Sequence, residues 1–118
     1  KLPENPEQAF EVSNLKENMG NWDIFSEDVI GVNGKSLSEG QRQRVAIARA
    51  VLNGKNILLM DEPFLFLDKK NRKTILRNIK RLKKTTIVVS NDENVIKEAD
   101  VHLVLDERKI SRLSRTHG

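Results

Sequence analysis

Two stretches of the chain have residue types and spacing suited to phosphate chemistry. The first stands at the start of a predicted helix and reads Leu37-Ser38-Glu39-Gly40-Gln41. The unpaired N–H groups and the positive dipole end of a helix N-terminus favour a bound phosphate, and a glycine there lets the anion approach the backbone closely. Ser38 and Gln41 also have the spacing of a capping box, and taken alone the stretch is better explained as an ordinary helix cap.

The second stretch is an apolar run that ends in two neighbouring carboxylates. Residues 57–60 are apolar, and Asp61 and Glu62 follow them directly. A carboxylate in the position of Asp61 suits Mg²⁺ held through water, because that ion keeps much of its hydration shell. Glu62 suits a general base toward a water that attacks phosphorus. The alternative is a strand that simply ends in two solvated acids.

Helical and strand periodicity predicts the elements that must position these residues. The predicted helices span residues 7–19, 38–53, 69–83 and 93–98, and the predicted strands span residues 57–60, 86–89 and 101–105. Because residues 57–60 are apolar without interruption, we expect this strand to be buried on both faces, as in parallel sheets. Strands that alternate with helices predict an α/β domain, whose chemistry collects at the carboxyl ends of the strands.

Composition and charge exclude several classes of protein. The chain has 118 residues and no cysteine, which excludes a disulfide framework and any thiolate metal site. No apolar run approaches the roughly 20 residues that span a bilayer. Residues 69–84 contain nine basic side chains and no acidic one. Apolar residues recur there at helical spacing and no aromatic is present, so we interpret the charge as the solvated face of an amphipathic helix and expect no nucleic-acid partner.

Together and in this order, the two stretches resemble the nucleotide-binding domain of ATP-binding-cassette (ABC) transporters. Residues 37–41 resemble the family's signature motif, Leu-Ser-Gly-Gly-Gln, with Glu39 in place of the first Gly, and residues 42–50 are similar to the helix that follows it. Residues 57–62 resemble the Walker B strand with its catalytic glutamate, and residues 64–68 resemble the D-loop. The resemblance covers about residues 22–118 and is to the C-terminal half of an exporter-like domain.

This resemblance implies a fold and a division of the chain. The fold would be α/β and P-loop NTPase-like: a partial, mostly parallel sheet with flanking helices and part of the α-helical signature subdomain. Residues 1–53 would belong to the signature subdomain with its helix, and residues 54–118 to the Walker B, D-loop and switch half of the catalytic core.

The resemblance also implies the roles of particular residues, with ATP and Mg²⁺ as cofactors. Ser38, Glu39, Gly40 and Gln41 would bind the ATP held by a partner domain. Asp61 would hold Mg²⁺ through water, Glu62 would be catalytic, and Asp68 of the D-loop would communicate between the two sites of a dimer.

One departure from the family concerns the switch histidine, which should follow the strand at residues 86–89. The chain has Ser90-Asn91-Asp92 at that place. Asn91 can offer an amide hydrogen bond to a γ-phosphate, but it has no ring to position water or carry charge. We therefore expect slow hydrolysis at this site or a non-hydrolysing member of an asymmetric pair. The alternative is an ordinary polar loop after a strand.

A second departure is the missing phosphate loop. The motif Gly-x-x-x-x-Gly-Lys-Ser/Thr does not occur in the 118 residues. Residues 31–36 come closest, but only two residues separate their glycines and no strand precedes them. The Walker A half is thus expected in a segment before Lys1, and the isolated chain is predicted to be inactive.

The leading hypothesis is the C-terminal part of the ATP-binding and ATP-hydrolysing domain of an ABC transporter, most like an exporter in the Gly-x-x-Leu-Ser connector that leads into the signature. Its expected partners are a second such domain in a head-to-tail dimer, the transmembrane domains and the missing Walker A half, at the cytoplasmic face of a membrane. One alternative is a non-hydrolysing half-site that only donates its signature to a partner's ATP. Another is a fragment of a soluble ABC ATPase of DNA repair.

Overall fold

A computed structural model describes residues 6–15 and 37–113 of the chain. The residues divide into two units, Lys1–Val88 and Val89–Gly118. The predicted boundary between residues 53 and 54 refers to the subdomains of the family and stays a prediction.

Helix α1, Pro6–Val12, is shorter than the predicted helix over residues 7–19. The Ser13 hydroxyl donates to the Ala9 carbonyl at 2.8 Å, and Asn14 adopts the left-handed region with φ 56°. The left-handed residue explains the end of the helix without a glycine, because it turns the chain out of the helical path. Residues 16–19 lie outside the described residues.

Helix α2, Glu39–Leu52, confirms the predicted helix and both of its ends. Ser38 is the N-cap, and a full capping box joins it to Gln41. The helix stops at Asn53, and Gly54 follows with φ 64°, a left-handed conformation that glycine adopts without steric cost.

Strand β1 (Ile57–Asp61), helix α3 (Lys69–Arg81) and strand β2 (Thr85–Val89) follow in the order that the sequence predicts. The two strands form a parallel two-stranded sheet. The expectation that β1 is buried on both faces is wrong: Leu58 and Met60 are buried, whereas Leu59 is 71 % exposed. The described part of the chain covers only one face of this sheet, and successive side chains of a strand point to opposite faces.

The core of the first unit lies where α1 packs against α2 and α3. Its fully or nearly buried side chains are Ala9, Phe10, Val12, Leu15, Ile47, Ala48, Val51, Ile75 and Ile79. Arg44 of α2 is also buried, and its guanidinium donates to the carbonyls of Gly40 and Asn14 at 3.4 and 3.3 Å. A buried cation of this kind is tolerated because its donors reach backbone acceptors. Helix α2 therefore packs against α1 and is also bonded, through Arg44, to Asn14 just beyond the end of α1.

The second unit contains helix α4 (Glu93–Glu98) and strands β3 (His102–Asp106) and β4 (Lys109–Leu113). The sequence predicts α4 and β3 but misses β4, which pairs antiparallel with β3 in a second two-stranded sheet. Glu107 and Arg108 join them with φ 46° and 64°. Two central residues of positive φ are typical of a type I′ hairpin turn, usually signalled by Asn-Gly rather than Glu-Arg.

Among the described helices, none has the length and apolar character needed to cross a membrane.

Candidate functional site

The start of α2 presents backbone and side-chain donors to solvent. Ser38 Oγ accepts from the Gln41 N–H at 3.1 Å, and the Ser38 N–H donates to Gln41 Oε1 at 2.9 Å. Ser38 and Glu39 are exposed, and Gly40 and Gln41 are half-buried. The capping box uses one lone pair of the Ser38 hydroxyl and the side-chain oxygen of Gln41. The donors that remain are the Ser38 hydroxyl proton, the side-chain N–H groups of Gln41 and the first N–H groups of the helix. An anion is the ligand that such a set of donors suits.

Gly40 is required by packing as well as by any ligand. A Cβ placed on it would lie 2.9 Å from the carbonyl oxygen of Phe66. Ordinary contacts of this type begin near 3.4 Å, so any side chain at this position must displace the backbone of either Phe66 or α2. The sequence pattern gives a reason for Gly40 in anion approach but no signal for this contact, which joins residues distant in the chain.

Asp61 and Glu62 stand at the carboxyl end of β1, as predicted. Asp61 is the last residue of the strand and is exposed. Glu62 is half-buried and has φ 45°, the left-handed region that residues other than glycine seldom adopt. Backbone strain of this kind concentrates at functional sites and persists only where the surroundings hold it.

Gln43 of α2 holds this strained residue and the loop that follows it. Its Nε2 donates to the Glu62 carbonyl at 3.1 Å, and its Oε1 accepts from the Phe66 N–H at 2.8 Å. The loop, residues 62–67, is tightened by a hydrogen bond from the Leu67 N–H to the Phe64 carbonyl at 3.1 Å. The sequence does not single out Gln43, because nothing local distinguishes it from the other polar residues of an amphipathic helix.

Asp68 is the N-cap of α3, and its carboxylate accepts from the Asn71 N–H at 2.7 Å. The Asn71 side chain in turn accepts from the Asn14 side-chain amide at 2.8 Å. Asp68 thus has a structural use as a helix cap, while its predicted place in a D-loop and its part in communication between sites stay predictions. Just before it, Leu65 and Phe66 are 65 % and 52 % exposed, which is unusual for large apolar side chains.

Asn91, in the second unit, is exposed in the short connection between β2 and α4. Its neighbours are engaged locally: the Asp92 N–H donates to Ser90 Oγ at 3.1 Å, and the Asp92 carboxylate accepts from the Asn94 N–H at 2.9 Å. The loop is therefore held by Ser90 and Asp92, and the amide of Asn91 is presented to solvent. His102, the histidine in the described part of the second unit, lies within β3.

The carboxylates suit a metal ion shared with a ligand rather than one enclosed by protein. No group of three or more His, Cys, Asp or Glu side chains able to hold a metal ion occurs in residues 6–15 and 37–113. A single exposed carboxylate such as Asp61 matches the way Mg²⁺ is held between one or two acids, water and phosphate oxygens.

Comparisons with known proteins agree with these observations. A family model described as ABC transporter matches residues 2–65. The ATP-dependent lipid A-core flippase of Vibrio cholerae is 40 % identical over 111 residues, which are 92 % of this chain and 19 % of the flippase. The flippase of the same name from Haemophilus influenzae is 45 % identical over 84 residues, 70 % of this chain and 14 % of the flippase. The chain thus spans less than a fifth of the length of these relatives.

Solved structures show the same likeness. A bacterial Atm1-family ABC exporter with ATP bound superposes with a TM-score of 0.81 at 28 % identity, over 92 % of this chain and 20 % of the exporter chain. A dimeric ATP-binding cassette in a post-hydrolysis state with ADP and Pi superposes with a TM-score of 0.75 at 32 % identity, over 94 % of this chain and 45 % of the cassette. These likenesses confirm the α/β, P-loop NTPase-like fold that the motifs imply.

Proposed function

The chain belongs to the ABC transporter family and matches an exporter-like ATP-binding domain, and from this premise we propose that it is the C-terminal part of the domain whose ATP hydrolysis powers transmembrane transport. The observation that supports this most directly is the joining of two motifs. The donor-rich start of α2 and the carboxylate pair after β1 lie in one unit, linked by Gln43 and Gly40 through the 62–67 loop.

In this proposal the two motifs serve two different ATP molecules. The start of α2 contacts the γ-phosphate of ATP held by a partner domain, because its free donors face solvent at a helix N-terminus. The contacting residues are Ser38, Gly40 and Gln41, with Glu39 beside them. Glu62 acts on the ATP held by its own domain, as the base that takes a proton from the attacking water. Asn91 donates its amide to the γ-phosphate in the place of the family's histidine.

Asp61 would hold Mg²⁺, through water, at the end of β1. When bound, the ion neutralises charge on the β- and γ-phosphate oxygens. The contribution of the chain is to present one exposed carboxylate directly beside Glu62, so that the acid that binds the ion and the base for water are adjacent.

The partners proposed are a second ATP-binding domain, the transmembrane domains and a Walker A half. The exposed Leu65 and Phe66, beside the start of α2, suit burial against the second domain in a head-to-tail dimer. The face of the β1–β2 sheet that the described residues leave uncovered, with Ile57 57 % and Leu59 71 % exposed, suits burial under helices of a Walker A half, since helices cover the faces of parallel sheets. This assembly would work at the cytoplasmic face of a membrane.

A second candidate, favoured by Asn91 alone, is a half-site that donates its signature to a partner's ATP without hydrolysing its own. In this second candidate Glu62 does not act as a catalytic base, whereas in the first candidate it does. Both candidates are supported as transporters, rather than as DNA-repair ATPases, by the likeness to lipid A-core flippases and to an ABC exporter.

Mixed dimers separate the two candidates. An intact partner domain is combined with the full-length domain that contains this chain, carrying either Glu62→Gln or Ser38→Arg, and Mg²⁺-dependent ATP turnover is measured. Hydrolysis by Glu62 predicts a loss of turnover with both substitutions. A loss with Ser38→Arg and none with Glu62→Gln would establish the donor-only half-site, and no effect of either would refute both candidates.

A further inference from the structure

We propose that Gln43 is a positioning residue that couples the signature segment, residues 37–41, to Glu62. The inference rests on the proposed function, in which the signature segment binds a partner's ATP and Glu62 acts on the ATP of its own domain. Gln43 itself is one helical turn from Gly40 and bonds only to backbone atoms of the 62–67 loop among the hydrogen bonds described for it. It does not need to touch ATP to affect hydrolysis.

Gln43 makes two hydrogen bonds of opposite direction to the 62–67 loop. One end of the Gln43 amide donates to the Glu62 carbonyl, and the other accepts from the Phe66 N–H. A carboxylate of the same length has no donor, and an ammonium has no acceptor. Only an amide with this reach satisfies both loop atoms, which makes glutamine the residue that the position requires.

Glu62, which Gln43 holds, has a strained backbone. Glu62 has φ 45°, a conformation that costs a non-glycine residue free energy and is kept only where surrounding contacts fix it. The hydrogen bond from Gln43 reaches the carbonyl of this residue. Without it, the backbone of Glu62 is free to relax toward ordinary φ values, and its carboxylate would turn with it.

The signature segment and Gln43 meet the same residue of the loop, Phe66. Gly40 and Gln43 lie three positions apart and so share one face of α2. Both meet the backbone of Phe66: Gly40 lies against its carbonyl oxygen, and Gln43 accepts from its N–H. A shift of the first turn of α2, such as the arrival of a partner's phosphate would cause, therefore moves the same loop that holds Glu62. This gives one site a mechanical path to the catalytic acid of the other.

The test compares two substitutions with a matched control in the full-length transporter. Gln43→Glu keeps an acceptor for the Phe66 N–H but removes the donor to Glu62, and Gln43→Ala removes both. Asn78→Ala is the control, because Asn78 of α3 donates to the carbonyls of Glu11 and Val12 at 3.1 and 3.4 Å, in the same unit and away from the loop. Its loss costs comparable side-chain-to-backbone hydrogen bonds without touching Glu62.

We expect both Gln43 variants to lower kcat roughly tenfold to a hundredfold, since a misplacement of about 1 Å can cost that much, with KM for ATP changed less than about threefold. Asn78→Ala should leave kcat near the wild-type value at temperatures where it is folded. In a Glu62→Gln background, Gln43→Ala should cause little further loss, because residues that act through one another are non-additive. Hydrogen exchange at the Phe66 amide should quicken in Gln43→Ala.

Several outcomes would overturn the inference while leaving the proposed function intact. These are a wild-type kcat in both Gln43 variants, an equal loss in Asn78→Ala, or a further full loss in the Glu62→Gln background. An inactive wild-type transporter, or one indifferent to Glu62→Gln, would instead refute the proposed function and the inference with it.

Discussion

Replacing Gly40 with alanine tests whether the first turn of α2 is packed against the 62–67 loop as tightly as the geometry indicates. The added Cβ would lie 2.9 Å from the Phe66 carbonyl oxygen, where ordinary contact begins near 3.4 Å. The backbone on one side must therefore move by about half an ångström. Phe66 has little freedom to do so, because its N–H is already bonded to Gln43 and the Leu67 N–H closes the turn on Phe64.

The expected cost follows from two opposing effects. Overpacking of a fixed site costs about 1–3 kcal/mol. Alanine gains up to about 1 kcal/mol over glycine in a helix, and less in its first turn. The net loss of unfolding free energy should thus be about 1–2 kcal/mol, or a fall in Tm of roughly 4–16 °C for a unit of this size.

The assay is urea and thermal unfolding followed by circular dichroism, with Gly40→Ala, Gly40→Ser and Gly40→Val as a series of growing side chains. Stability should fall in that order. The series is repeated in a Gln43→Ala background, where the loop is released and the loss should be smaller. A Gly40→Ala variant as stable as the wild type, or more stable, would refute the reasoning, because the close approach to Phe66 would then cost no more than the gain in helix propensity.

Three further predictions concern other parts of the chain. Gly54→Ala should destabilise by about 1 kcal/mol in the same unfolding assay, because φ is 64° although no atom lies within 4 Å of the new Cβ; an unchanged stability would contradict a left-handed helix end. Asn91→His should raise kcat about tenfold or more in steady-state ATPase assays, since a ring able to position water is restored; an unchanged or lower kcat would show that Asn91 does not limit hydrolysis. The purified 118-residue chain should show no Mg²⁺-dependent turnover that Glu62→Gln abolishes, because its sequence contains no phosphate loop; such turnover would contradict the division of the nucleotide site.

Local sequence signals predict most elements of this chain because their causes are local. Ser38 and Gln41 cap α2 as their spacing indicates, and Gly54 follows its end in the left-handed region. The place of Asp61 and Glu62 at the end of β1 is also predicted from local sequence, because an apolar run followed by acids indicates where a strand ends.

Other features depend on parts of the chain that are distant in sequence, and local signals do not predict them. The exposed face of β1 could not be foreseen, because the apolar run reports what a strand can bury and not what covers it. Two further differences have local causes without a common sequence signal: helix α1 ends before the left-handed Asn14, and β4 follows an unusual Glu-Arg turn.

The contacts of Gly40 and Gln43 with Phe66 join positions more than twenty residues apart. No periodicity, spacing or helix cap in the sequence indicates these contacts, so they become visible only in the three-dimensional structure. They also join the two motifs, which serve two different ATP molecules in the proposed function, through one loop.

The central claim is that Glu62 hydrolyses ATP while residues 37–41 bind the ATP of a partner, and one measurement tests it most directly. Steady-state ATP turnover and ATP-dependent dimerisation are measured on the full-length protein with and without Glu62→Gln. We predict that the substitution lowers kcat by about a hundredfold or more, the usual contribution of a general base, while the ATP-bound dimer still forms and persists longer. A Glu62→Gln protein that hydrolyses ATP at the wild-type rate would contradict the account.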